Sequence, residues 1–347
     1  MRAASRLLAP VAGFVALAAV VLVLPAFVTD FRAQQFAYVG MYTVALIGLN
    51  VLTGYTGQIS LGHGAFMALG GYTTALLMAG NEQFGQSGLL GIGGGMKDVW
   101  TIPIAGLVAG LAGFLFGLPA LRLSGLYLAL ATFAIAVATP AVLKNFEEFT
   151  GGGSGINLFG RPELTASISP VHAAGFELNF NNYLYYLAWA VALGLYVVAW
   201  LLLRGRTGRA FRAVRDSETA AVSSGVSLAR YKTLAFGVSA AYAGVAGSLF
   251  AIATTFVNPD TFPIALSIFL LVGVVVGGLG SLLGPIVGAV FIQFMPLWAQ
   301  QVSKSPGAPA VVYGVVVILL MFVLPTGASG LLRRAGLLAS RGYDRVR

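Results

Sequence analysis

Ten stretches of this chain, each 16 to 24 residues long, pass without a single Asp, Glu, Lys or Arg: 7–28, 35–53, 59–80, 100–120, 124–143, 183–203, 233–256, 264–280, 283–300 and 310–325. The hydrocarbon core of a bilayer is about 30 Å thick, and a helix rising about 1.5 Å per residue crosses it in about 20 residues. Lipid offers no partner to a free N–H or C=O, so a spanning segment bonds its own backbone, and helices are the expected form. The runs do not alternate apolar and polar residues, which argues against a transmembrane β-barrel. Charged residues make up only 9% of the 347 residues, against about 25% in an average soluble domain, so an aqueous globular protein is excluded. The expected fold class is all-α, a polytopic membrane protein of about ten transmembrane helices forming a single domain over 1–347.

The charges outside the spans set the topology. With the N-terminus in the cytoplasm, ten crossings return the C-terminus to the same side. Of the 20 Lys and Arg residues, 15 then lie inside, and only Arg32, Lys97, Lys144, Arg161 and Lys304 lie outside. This is the asymmetry of the positive-inside rule, and it explains the net charge of +9 without nucleic acid. The segment 7–28 is longer than a typical signal-peptide core and has no clear cleavage site, so it reads as a retained anchor. Segment 59–80 is either a full span or a broken, re-entrant one. Three soluble stretches remain: 81–99 and 144–182 outside, and 204–232 as the one long cytoplasmic loop. Thr150–Gly155, with four glycines, is expected to be flexible.

Much chemistry is missing. There is no cysteine and there are only two histidines, His63 and His172, so neither a disulfide frame nor a metal-ligand set is expected. All 11 carboxylates fall outside the expected spans, whereas ion-coupled carriers commonly place ionisable groups within the membrane. No nucleophile with a base is evident, so no catalytic residue is assigned. No phosphate-binding G-x-x-x-x-G-K-[ST] occurs, and no cytoplasmic segment is large enough to hold an ATP-binding domain.

In the loop 204–232, Arg209, Arg212 and Arg215 recur every three residues and crowd one side of a helix. Ser217 is placed to cap a short helix carrying Glu218, Ala220 and Ala221, which Gly225 would end. Ser227 would cap the next helix, with Arg230 and Lys232 at the membrane boundary. A short helix with small residues suits another protein's groove, while a basic loop at lipid head groups is the plainer reading. Gly57, Gln58, Ser60 and His63 either line a translocation path near a kinked backbone or satisfy one another between helices. Gly280, Gly284 and Gly288 are spaced four apart, which favours close helix packing.

The segment Gly54-Tyr55-Thr56-Gly57-Gln58-Ile59-Ser60-Leu61-Gly62-His63-Gly64-Ala65-Phe66 resembles the signature of bacterial branched-chain amino acid ABC transporter permeases, the LivM-type subunit. The loop from Gly208 to Arg230 resembles the coupling loop of the same permeases. In the general importer pattern, Glu stands six residues before the Gly. Here Thr219 stands there, and Glu218 is seven before Gly225. Gly277–Ala289 and Thr150–Gly155 are also similar to the family, so the likeness covers most of 35–325.

The resemblance implies one of two homologous permease subunits in a bacterial inner membrane. Its loop at 206–226 would dock into a cytoplasmic ATP-binding subunit, which binds the ATP, so the chain itself needs no cofactor. A periplasmic or lipid-anchored binding protein would deliver substrate outside, where 144–182 lies. Branched-chain or related hydrophobic amino acids are the expected cargo, with urea, short amides or aromatic acids as the alternative. An ion-coupled secondary carrier is the alternative of a different class. Lipid is an expected neighbour and nucleic acid is not.

Overall fold

The computed structural model describes residues 18–79, 96–123, 125–158, 180–302, 307–323 and 327–330. Of the first expected span, the start lies outside the described residues. Residues 18–23 are helical and end in the 3₁₀ turn Leu24–Ala26 at Pro25. Tyr185 Oη donates to the Val21 carbonyl at 2.8 Å and holds this turn to the bundle.

Each of the other nine expected spans coincides with a helix. They are α1 (Asp30–Leu49, widening into the π-helical turn Asn50–Tyr55), α2 (His63–Ala79), α3 (Asp98–Ala120), α4 (Leu126–Asn145) and, after the one-turn α5 (Glu147–Thr150), α6 (Phe180–Arg204). The loop forms α7 (Arg206–Asp216) and α8 (Glu218–Ser223), then α9 (Leu228–Thr254), α10 (Ile264–Gly277), α11 (Gly284–Val302) and α12 (Ala308–Val323) follow. Seven helices of the described residues are long and apolar enough to cross a membrane, with the last counted over Val311–Gly330. The 17-residue α2 and the glutamine-bearing α11 fall outside that set. The chain is an all-α polytopic membrane protein.

Helix α9 is the centre, packing most extensively on α3, then on α2 and α1. Small residues make this possible. A methyl group on Gly247 would strike the Met67 carbonyl of α2, and one on Gly244 would meet Ala109 and the Ala105 carbonyl of α3. In lipid there is no hydrophobic drive between helices, so such close backbone approach and a few polar links hold them together. One link is Thr74 Oγ1 donating to Ser248 Oγ at 2.6 Å. Buried residues make up 83% of the apolar window of both α1 and α9 but 22% of that of α4, so α4 is a peripheral helix.

At the end that holds Asn145 and Asp98, the chain departs from expectation. Thr150–Gly155 is a specified turn. Thr150 Oγ1 donates to the carbonyls of Leu143 and Phe146 at 2.6 and 2.8 Å, and Gly152–Ser154 forms a 3₁₀ turn. The strand β1 (Ile156–Asn157) then pairs antiparallel with β2 (Phe256–Val257). Local composition does not encode a partner 100 residues away. Lys144 and Asp260 pair across this surface at 2.9 Å. Asp98, expected in solvent, is the buried first residue of α3, where its carboxylate accepts from the Val99 N–H and from Tyr183 Oη. A carboxylate at a helix N-terminus also meets the positive end of the dipole.

Candidate functional site

At the opposite end, α1 does not end cleanly. Its carbonyls, left over by the helix, are collected locally. Leu52 O accepts from the Gln58 N–H at 3.2 Å and from Thr56 Oγ1 at 2.5 Å, and Thr53 Oγ1 donates to Gln58 O at 3.1 Å. The chain reverses at Gly57, whose φ of +73° suits glycine. Residues 57–62 are not helical. They climb back alongside α1, because His63 Nε2 at their top donates to the Ala45 carbonyl at 3.1 Å, ten residues or about 15 Å above Tyr55. Leu61 N–H donates to Thr132 Oγ1 of α4 at 2.9 Å, and Gly64 N–H to Ser267 Oγ of α10 at the same distance. The segment expected at 59–80 is thus a broken span, unwound at 57–62 and helical from His63.

The side chains singled out there point inward. Gln58, Ser60 and His63 are buried. Gln58 Nε2 donates to Thr56 Oγ1 at 3.0 Å, and Ser60 Oγ accepts from the Gly62 N–H at 3.3 Å. The side chain that projects is Ile59, 44% exposed. Among the described residues, no hydrogen bond engages the backbone N–H or C=O of Ile59 or Ser60. Non-helical backbone at membrane depth must meet protein or a water-filled cavity. A separate cleft of about 390 Å³ lies between α2, α3 and α4, lined by Phe66, Leu69, Ala112, Phe116, Ile135 and their neighbours. Almost wholly apolar, it suits hydrocarbon rather than a charged group.

The loop is anchored from below. Phe211 of α7 is fully buried with Val51, Leu52, Leu203 and Phe236, edge-on to Tyr231 at 6.3 Å. Ser217 Oγ accepts from the Ala220 N–H at 3.2 Å and caps α8. The α8 helix ends in a Schellman motif, with Gly225 at φ +81° and Val226 N–H donating to Ala221 O at 2.9 Å. Ala221 faces inward, and Thr219, Ala220, Val222 and Ser223 face outward. Glu218 Oε1 holds Lys232 Nζ at 2.7 Å. Lys232, expected at the membrane boundary, is buried because this partner lets it be.

The arginines do not act as one patch. Arg209 is exposed, Arg212 Nη1 donates to the Leu203 carbonyl at 3.3 Å, and Arg215 Nη1 donates to the Gly54 carbonyl at 2.7 Å. Arg215 also lies along Gly57 and beside Gly280.

Gly280 is outside the helices, in the α10–α11 turn at φ +73°. Its N–H donates to Asn50 Oδ1 at 2.9 Å, and Asn50 Nδ2 donates to Ser281 O at 2.7 Å. Gly284 sits against the backbone of Gly277, and Gly288 against that of Gly273. Asn50 was not singled out by sequence, and Lys232 was placed at the membrane boundary without its partner Glu218. An amide inside the run 35–53 was the available signal, since it demands a partner in hydrocarbon.

A helical bundle with its described carboxylates at or beyond the helix ends, one interrupted span and a short helix presented at one end defines a polytopic integral membrane protein. The chain belongs to the family described as branched-chain amino acid transport system permease component, whose model matches residues 31–324. It is 40% identical over 268 residues to the high-affinity branched-chain amino acid transport system permease protein LivM of Escherichia coli, covering 73% of this chain and 60% of that one. It is 22% identical over 336 residues to the probable branched-chain amino acid transport permease protein LivM of Methanocaldococcus jannaschii, covering 86% and 93%. To the E. coli permease protein LivH it is 24% identical over 297 residues, covering 83% and 91%. No solved structure is matched.

Proposed function

We propose that the chain is a transmembrane permease subunit of an ATP-driven importer for branched-chain or related hydrophobic amino acids, in a bacterial inner membrane. The observation that carries this is the α7–α8 loop: a capped short helix, held out by a buried anchor (Phe211) and an ion pair (Glu218–Lys232), with an uncharged outward face. Such a handle suits docking into a cytoplasmic ATP-binding subunit, which binds and hydrolyses the ATP, so the chain needs neither a cofactor nor catalytic residues of its own. A second homologous permease would complete the path, and a binding protein would deliver substrate at the end bearing Lys144–Asp260. The free backbone groups at Ile59 and Ser60 suit an ammonium and a carboxylate, and the Ile59 side chain suits an apolar substituent. ATP binding would shift α8 and switch the bundle between outward and inward access, since packed helices have discrete arrangements.

The test is reconstitution in proteoliposomes with two ATP-binding subunits, the partner permease and the binding protein. Leucine uptake should require ATP, and Val222→Glu should insert normally yet lose stimulation of ATP hydrolysis by the binding protein. Concentrative uptake by this chain alone on an ion gradient would instead identify a secondary carrier.

A further inference from the structure

The orphan carbonyls at the end of a helix need donors, and α1 draws one of its donors from outside its own segment. Gly54 O accepts from Arg215 Nη1 at 2.7 Å, across 161 residues of sequence. A cation there also meets the negative end of the α1 dipole. The same side chain lies along Gly57, where the chain reverses, and against Gly280 of the α10–α11 turn. Asn50 ties that turn to the π-helical segment through its two amide bonds. Only Asp216 and Ser217 separate Arg215 from the first residue of α8. Glu218, Arg212 and Phe211 hold the loop to α9, to α6 and to the core. Arg212 and Arg215 both lie near Tyr55, and Arg215 is the one that hydrogen-bonds the Gly54 carbonyl and lies along Gly57. A π-helical turn is rare and is found frequently at functional sites.

We propose that Arg215 is a positioning residue that transmits motion of α8 to the unwound segment 57–62, by capping the end of α1 in the resting state and releasing it when α8 moves. This deepens the permease role proposed above and rests on it for its transport consequence. The structural step, release of Gly54 and rearrangement of 57–62, is a property of this chain alone.

Two measurements test it. The chain has no cysteine, so Ile59→Cys introduces its only thiol. In membranes holding this chain alone, Arg215→Ala should change the maleimide labelling rate of that thiol about tenfold, and Arg215→Lys should restore most of the original rate. An unchanged rate overturns the proposal whatever the chain transports. In the reconstituted importer, Arg215→Ala should lower leucine transported per ATP hydrolysed about tenfold, with partial recovery by Arg215→Lys. Uptake and hydrolysis falling in parallel in both variants would overturn it, making Arg215 a docking or folding residue. An Arg215→Ala chain that fails to insert is replaced by Arg215→Gln, read against the same outcomes. A wild-type complex that does not transport, with the labelling change intact, would refute the importer role and leave the latch standing.

Discussion

At the scale of single residues, the polar groups buried near the helix ends mark what the fold cannot leave unpaired. Lys232 is 6% exposed, and Glu218 is its ion-pair partner. Removing one partner of such a pair costs more than removing both charges. Glu218→Ala, which strands the ammonium, should destabilise the loop by about 2 kcal/mol, below the roughly 3–5 of a fully buried pair because Glu218 is half exposed. Glu218→Ala combined with Lys232→Met should recover most of that loss. The rate of limited proteolysis at the arginines of 204–232 reads the difference, and a double variant as labile as the single one would contradict it. Asn50 stands out in the sequence as an amide inside an apolar run and Lys232 as a charge beside one, while Arg215 is one of several loop arginines. The pairings do not stand out: Gly280 and Ser281 lie 230 and 231 residues from Asn50, and no local pattern links them.

At the scale of elements, the spans were legible because transfer of a residue into hydrocarbon is a local property, summed along the chain. Nine expected spans coincide with helices to within a few residues. The caps of α8 and α9 were legible for the same reason, since Ser217 and Ser227 act on N–H groups three residues away. The turn at Thr150–Gly155 was misread as flexible because its order comes from Thr150 and from pairing with β2. The glycine pattern was read for α10 and α11 but has its greatest effect on α9. Gly247→Ala should push α9 from α2 against the Met67 backbone, costing about 2 kcal/mol through overpacking. Gly194→Ala in α6, where a methyl meets nothing within 4 Å, should be neutral or gain up to about 1 kcal/mol from helix propensity. Melting of the detergent-solubilised protein ranks the two, and equal shifts would refute the packing role of Gly247.

At the scale of the molecule, α9 is bounded by α1, α2 and α3 through backbone-to-backbone approaches, whereas α4 covers little and is little covered. In the importer proposed above, motion between access states then belongs to the periphery. Spin labels at exposed positions on α3 and α4, Leu107 and Val137, should report a separation that changes with nucleotide state. A pair of labels joining α3 to the inner end of α9, Leu118 and Arg230, should report one that stays fixed. A moving α3–α9 pair would reject the division. The densely knitted middle has one more consequence. In the importer proposed above, the backbone approaches that join α9 to α1, α2 and α3 keep those helices together, so solute would cross along a flank, where the partner permease would supply the opposite wall. On that proposal one copy is half a conduit, and a bilayer containing it by itself should leak no more than bare lipid.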